Sequence, residues 1–269
     1  NNNMAINVNT VYTTVLSILN KEQRGYLTPY EFNQAATQVQ LSIFEKYFQD
    51  LDKQLRIPQN DFDYSNPIIN MDDVMSTFKC FGSLTGGTSG EFGLPTTDTL
   101  TGKTIVYNDQ PSSTQFAFYR LGTVTSESGA KPIQIERLQR DPFYNIDRSD
   151  LTAPSANFPV YLFENLEIKV KPNTITTDVK TTFIRKPRDV VWGYGVNTTL
   201  GNYVWDGTPG FSLTPVIPST GSVNFEISDS QQTNVIIEIL KYAGVIIRDP
   251  QIVQSATQLS SANEANTKR

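Results

Sequence analysis

A chain of 269 residues is long enough to bury its own core without disulfides or a structural metal. Its 22 Lys and Arg against 27 Asp and Glu give a net charge of -5, which argues against wrapping duplex DNA by neutralising many phosphates. Histidine is absent and Cys80 is the sole cysteine, so Ser-His-Asp and Cys-His catalysis, an internal disulfide and cysteine-rich zinc sites are excluded.

Charged residues are 18% of the chain, below the usual value of about 25%. A polar but weakly charged surface suits broad contacts between subunits better than long-range steering of a charged substrate. No apolar run reaches the length of a membrane span. The opening Asn1-Asn2-Asn3-Met4 has neither a basic region nor an apolar core, so no export signal is expected either.

Residues 8–20 place Val8, Val11, Tyr12, Val15, Leu16, Ile18 and Leu19 mostly at helical spacing behind a possible cap, Asn7 or Asn9. Thr28-Pro29-Tyr30-Glu31 then reads as a capping box with proline in the first turn. The helix it opens carries Phe32, Ala35, Ala36, Val39, Ile43, Tyr47, Phe48, Leu51 and Leu55 on one stripe, and Ile57-Pro58 should end it. Asn70 or Asp72 begins a third helix through Val74, Met75, Phe78 and Phe81.

The glycine-rich stretch 82–90 reads as a flexible hinge or loop, and residues up to about 224 have β character. Strands are expected at 104–107, 115–124 and 132–135, with an irregular or helical crossover at 137–148. Runs at 160–163, 167–171 and 178–185 predict a three-stranded antiparallel meander, with Ile168 and Val170 on one face and Lys169 and Lys171 on the other. Residues 197–221 read as a projecting loop or loose hairpin carrying Tyr203, Trp205 and Phe211. Ser228-Asp229-Ser230-Gln231 is a second capping box before a helix that Gly244 should terminate. A last helix holds Ile252, Val253, Ala256 and Leu259, and the tail 260–269, ending Lys268-Arg269, has little to bury.

The motifs that could carry chemistry fail on spacing. Gly102-Lys103-Thr104 lacks the earlier glycine of a phosphate-binding loop, since Thr97 stands there, and reads as a turn before a strand. Asp50, Asp52, Asp61 and Asp63 lack the alternation and closing Glu of a calcium loop. Cys80 beside Phe78 and Phe81 reads as a buried apolar residue. Trp192, Tyr194, Tyr203, Trp205 and Phe211 could line a sugar site or stack on single-stranded nucleic acid, but a core and interface cluster is the simpler reading. No cofactor, metal or catalytic residue is expected.

The resulting expectation is an α+β chain: residues 1–81 with 226–269 as a helical bundle, 82–225 as a β-rich insertion and 260–269 as an extended tail. Three stretches carry a resemblance: 21–33 (Lys21-Glu22-Gln23-Arg24-Gly25-Tyr26-Leu27 into Thr28-Pro29-Tyr30-Glu31-Phe32-Asn33); Phe183-Ile184-Arg185-Lys186-Pro187 with Trp192-Gly193-Tyr194; and Phe225-Glu226-Ile227-Ser228 before Lys241-Tyr242-Ala243-Gly244. Together they resemble head-to-tail connector proteins, also called adaptor or ring proteins, of short-tailed and crAss-like phages. That resemblance implies a virion protein forming a ring of about twelve copies on the portal if the portal sets the symmetry. It also implies docking of the next tail or ring protein, DNA passing without sequence recognition, and a C-terminal segment, including Ile252, Val253, Ala256, Leu259, Lys268 and Arg269, that reaches a neighbour or the portal. The competing reading is a carbohydrate-binding or depolymerising tail accessory, resting on Tyr203, Trp205 and Phe211; a collar or minor capsid component is a third.

Overall fold

The computed structural model describes residues 5–21, 27–54, 67–107, 115–127, 131–246 and 258. The chain forms two compact units: residues 1–77 with 187–269, and residues 78–186.

The first unit holds helices α1 (Val8–Lys21), α2 (Pro29–Gln54), α3 (Pro67–Ser76) and α5 (Gln232–Ile246). Asn7 caps α1, its Oδ1 accepting from the amides of Asn9 and Thr10. The Thr28 box forms as a reciprocal pair: the Glu31 amide donates to Thr28 Oγ at 3.3 Å, and the Thr28 amide donates to Glu31 Oε2 at 2.9 Å. The Thr28 hydroxyl and then its amide hold the Glu31 carboxyl below its ordinary pKa. At Ser228 no side-chain cap forms; a single 3-10 turn, Asp229–Gln231, leads into α5.

The buried stripes of α1 and α2 follow the apolar spacing, with Val8, Val11, Val15 and Leu19 on α1 and Phe32, Ala36, Val39 and Phe44 on α2 removed from solvent. α2 also has a polar row. Asn33, Thr37 and Gln40 meet alternate residues of an extended return segment, as a neighbouring strand would. The Trp192 amide donates to Asn33 Oδ1 at 2.7 Å, and the Val190 amide to Thr37 Oγ at 3.2 Å. Gln40 Nε2 donates to the Arg188 carbonyl at 2.6 Å, while Gln40 Oε1 accepts from the Glu226 amide at 2.8 Å. Glu226 in turn accepts from the Arg188 amide and Nε. Gln40 is fully buried and uses both ends of its amide, so its burial leaves no polar group unsatisfied.

The second unit is built from β1 (Lys79–Ser83), β2 (Thr85–Thr88), β3 (Glu91–Gly93), β4 (Thr104–Val106), β5 (Gln115–Ser126), β6 (Ile133–Arg137), β7 (Val160–Glu164), β8 (Glu167–Lys171) and β9 (Val179–Arg185), with α4 (Arg140–Asn145) between β6 and β7. They form one nine-stranded mixed sheet ordered β1-β9-β5-β6-β7-β8-β3-β2, with β4 also beside β5. Its two terminal strands, β1 and β2, are separated in the chain by Leu84 alone, so the sheet must curl until its ends nearly meet. Register shifts in β5 against β9, at Phe118/Arg120 and Leu121/Val124, supply the bends that curling needs. Phe92, Leu94, Val124, Ile135, Tyr161, Ile168, Val170 and Val179 pack into one core of this curled sheet, and Cys80, Ile105, Phe116 and Phe183 into another.

The architecture corrects the expected fold class. The chain is a mixed, sheet-dominated fold with five helices among the described residues, not a helical bundle carrying an insertion. The meander is corrected as well: β7 and β8 pair, but β8 takes β3 as its other neighbour, and β9 pairs with β1 and β5. The third helix stops at Ser76, and Phe81 lies in β1; the stretch 82–90 is mostly strand. Inside β8 the alternation holds, with Ile168 and Val170 buried and Lys169 and Lys171 on the other face.

Two stability tests follow from local geometry. Thr28→Ala should cost about 1 kcal/mol in urea unfolding at neutral pH. The deficit should shrink as acid protonates Glu31, because a lowered carboxyl pKa stabilises the fold above the ordinary Glu value and that stabilisation is lost as pH falls through the folded pKa. The β7–β8 turn places Asn165 and Leu166 at φ of 50° and 62°. Leu166→Gly should therefore raise stability by roughly 1 kcal/mol, since a branched residue is strained there; a loss of stability would show that Leu166 makes contacts in the fold that outweigh the strain.

Candidate functional site

Residues 187–226 run from the α2 polar row out to a hairpin and back. β10 (Tyr194–Val196) and β11 (Tyr203–Trp205) form a two-stranded antiparallel sheet in the register Tyr194↔Trp205 and Val196↔Tyr203. Paired residues share a face, so Tyr194, Val196, Tyr203 and Trp205 lie on the same side. An aromatic chain ties this side to the core. Phe32 and Tyr12 are 4.9 Å apart by ring centroid, Tyr12 and Trp192 4.2 Å, Trp192 and Tyr194 5.8 Å, and Tyr194 and Tyr203 5.0 Å. Burial, and then the neighbouring Tyr203, push the Tyr194 phenol above its ordinary pKa.

The structure places Trp205 and Phe211 in supporting positions. The Trp205 indole donates to Ser222 Oγ at 2.9 Å, and its ring lies against Gly207, where a Cβ would come within 2.5 Å of the indole. Phe211 and Leu213 pack over Gly195, where a Cβ would meet Leu213 at 2.5 Å. Ser222 also accepts from the Gly193 amide at 2.9 Å and donates its hydroxyl to Asp206 Oδ1, while Asp206 Oδ2 accepts the Ser222 amide at 2.7 Å. With two donors on its oxygen and its proton on Asp206, the Ser222 hydroxyl has no capacity left to act as a nucleophile. This Asp-Ser pair is a brace. The Trp205 indole N–H is engaged within the hairpin, and Trp205 and Phe211 are both partly buried.

Other candidate chemistry resolves in the same way. Asp98, buried in the turn before β4, accepts from the amides of Phe81 and Thr101, so Gly102-Lys103-Thr104 closes a turn around a carboxylate. Lys103 Nζ sits 4.8 Å from the Phe116 ring centre. Cys80 is buried against the Ile105, Phe116 and Phe183 cluster. Among the described residues no three His, Cys, Asp or Glu side chains converge as a metal site, and no helix is long and apolar enough to cross a membrane. The predicted interface residues Ile252, Val253, Ala256, Leu259, Lys268 and Arg269 lie outside the described residues, as do the side chains of Asp50, Asp52, Asp61 and Asp63.

A feature that the apolar spacing did not single out is the loop 149–159, between α4 and β7. Leu151 is 94% exposed and Phe158 79% exposed, with Tyr144 on α4 half exposed nearby in the chain. The loop is nonetheless well braced. The Thr152 and Ala153 amides donate to the Ser149 carbonyl, the Phe158 amide donates to the Ser155 carbonyl, and the Glu136 amide donates to the Pro159 carbonyl. Lys171 secures the preceding helix by donating to the Phe143 carbonyl at 2.9 Å and to Asp147. Its ammonium also stands 4.6 Å from the Phe143 ring centre. Leu151 and Phe158 are therefore large apolar side chains held in solvent on a hydrogen-bonded loop.

Ser222→Ala should strand the Trp205 and Gly193 N–H groups and remove a hydroxyl from Asp206, lowering stability by about 2–3 kcal/mol. Urea unfolding followed by tryptophan fluorescence measures it; an unchanged midpoint would show that the brace contributes nothing.

No protein-family model matches this chain, and no curated protein matches it either.

Proposed function

We propose that this chain is a structural virion subunit that forms a ring between portal and tail, extends the DNA channel and offers a docking platform to the next tail component. The observation that carries an assembly role is the braced loop 149–159, which holds Leu151 and Phe158 almost fully in solvent. Covering two such side chains is worth roughly 1.5–3 kcal/mol each, so the loop gains from a partner what it forgoes in the isolated chain. The connector layer itself comes from the resemblance of the stretches around Thr28-Pro29-Tyr30-Glu31, Trp192-Gly193-Tyr194 and Phe225-Glu226-Ile227-Ser228.

The weakly charged surface supports the same role. A net charge of -5 leaves DNA without a clamp of cations, which suits passage through a channel better than retention in it. The carbohydrate-binding reading rests on Tyr203, Trp205 and Phe211, of which Trp205 has its indole N–H committed to Ser222.

The paired variant Leu151→Asp with Phe158→Asp should leave unfolding of the isolated chain within about 0.5 kcal/mol of the parent, because both sites are exposed. Particles made with it should lack the chain or lose their tails. Normal incorporation and tail attachment would overturn this reading of the loop.

A further inference from the structure

The curled sheet opens between β5 and β6. Their ladder holds at Ser126↔Ile133 and Val124↔Ile135 and goes no further, and β6 then pairs in parallel with β7 at Glu136↔Val160 and Arg137↔Tyr161. β5 is meanwhile drawn to its other neighbour. At the Leu121/Val124 irregularity the Thr123 amide donates to Thr182 Oγ at 2.8 Å, and the Thr181 hydroxyl donates to the Thr123 carbonyl at 3.2 Å. A Cβ on Gly122 would come within 2.5 Å of Thr182 Oγ, so the close approach of β5 to β9 depends on glycine there. Strands drawn apart in this way leave a slot in the sheet. Its cavity of about 420 Å³ falls within the range of about 300–1,000 Å³ that takes small ligands.

Alternation along the strands sorts the walls of the slot. Val124 and Ile135 close its floor and belong, with Tyr161, to the core inside the curl. Arg137, two residues beyond Ile135, falls on that inner face, and its guanidinium stands 5.7 Å from the Phe163 ring centre. Gln134 and Glu136 alternate onto the outer face. Tyr161 is 4% exposed. Burial raises its phenol pKa and the positive charge of Arg137 acts against that rise, which places the guanidinium near the hydroxyl. Among the described residues neither the Arg137 guanidinium nor the Tyr161 hydroxyl has a hydrogen-bond acceptor or a carboxylate partner. A nearly buried hydroxyl ordinarily finds a partner. Two donors without an acceptor, one of them cationic, call for a ligand that brings an anionic acceptor.

We infer that the slot between β5 and β6 binds a monocarboxylate through Arg137 and Tyr161. The planar guanidinium matches a carboxylate with two parallel N–H groups, and the Tyr161 hydroxyl donates to the same group. Glu136 at the outer rim adds a negative charge that opposes a dianion such as phosphate more than a monoanion. Two sources present this chemistry, a free acid and the C-terminus of a peptide. The site lies wholly within residues 78–186 and stands whether or not copies form a ring.

The test is amide NMR of the 269-residue chain titrated with sodium benzoate and, separately, with an acetylated dialanine peptide bearing a free C-terminus. Either probe should shift the Gly122, Thr123 and Arg137 amides and saturate with a Kd of about 1 mM or tighter. Benzyl alcohol and the C-terminal amide of the peptide, which lack the charge, should leave those amides in place. Arg137→Gln should weaken binding about 10- to 100-fold and Tyr161→Phe about 5-fold. Both variants should keep the thermal melt, because Arg137 is exposed and Phe retains the buried ring. Tighter binding of benzoate assigns the slot to a free acid, and tighter binding of the peptide assigns it to a chain terminus; each supports the site. Binding that survives Arg137→Gln, or phosphate binding as tight as benzoate, would overturn it as an adventitious ion only. The absence of a saturable shift with both probes would overturn it outright. None of these results bears on ring assembly, so the two proposals fail separately.

Discussion

Much of the first unit depends on a hydrogen-bonded row between a helix and an extended chain. Asn33, Thr37 and Gln40 on α2 satisfy the backbone at Trp192, Val190 and Arg188, and Gln40 reaches across to Glu226. A helix cannot join a β ladder through its own backbone, whose groups are used internally. Side chains spaced three and four residues apart can do so, because they fall on one face. That row fixes where the return segment lies, and therefore where Trp192 enters the stack with Tyr12 and where the hairpin begins. The Arg188–Glu226 pair then ties the outgoing and returning arms of the segment together.

The second unit solves a different problem. A nine-stranded sheet must hide its edges or expose them for aggregation. The bulged β5 and the one-residue link at Leu84 curl the sheet so that its first and last strands become neighbours in the chain. The β6–β7 pair is parallel, which requires a crossover, and α4 with the loop 149–159 is that crossover. The most exposed large apolar side chain of the described residues, Leu151, thus sits on a connection that sheet topology obliged to leave the sheet.

What the sequence disclosed was what is locally encoded. The Thr28 box, the α1 and α2 stripes and the inward face of β8 follow from spacing within a few residues. What it hid depends on partners far along the chain. Phe78 and Phe81 suit a helix by spacing, yet the pairing of Lys79–Ser83 with β9, about a hundred residues on, makes that segment a strand. The same long-range pairing draws β9 away from β8 and dissolves the meander. The glycines of 82–90 suggested a hinge, whereas β1 takes up Gly82, β2 takes up Gly86 and Gly87, and Gly90 lies in the turn to β3. Of the candidate contact aromatics, Tyr203 is exposed, while Trp205 and Phe211 are partly buried and Trp205 commits its indole N–H to Ser222. Asn33, Thr37 and Gln40 line up by helical spacing, but nothing in that spacing separates a solvated polar face from a bonded one.

Each unit carries a hydrogen-bonded turn or loop with an exposed apolar side chain. Leu200 stands on one and Leu151 with Phe158 on the other, and the hydrogen bonds within each leave these side chains exposed. The most direct measurement is an electron-microscope reconstruction of purified particles carrying a tagged copy of the chain. A connector role predicts tag density in a closed ring on the channel axis between portal and tail. Tag density in peripheral fibres, or its absence from the particle, would contradict that role.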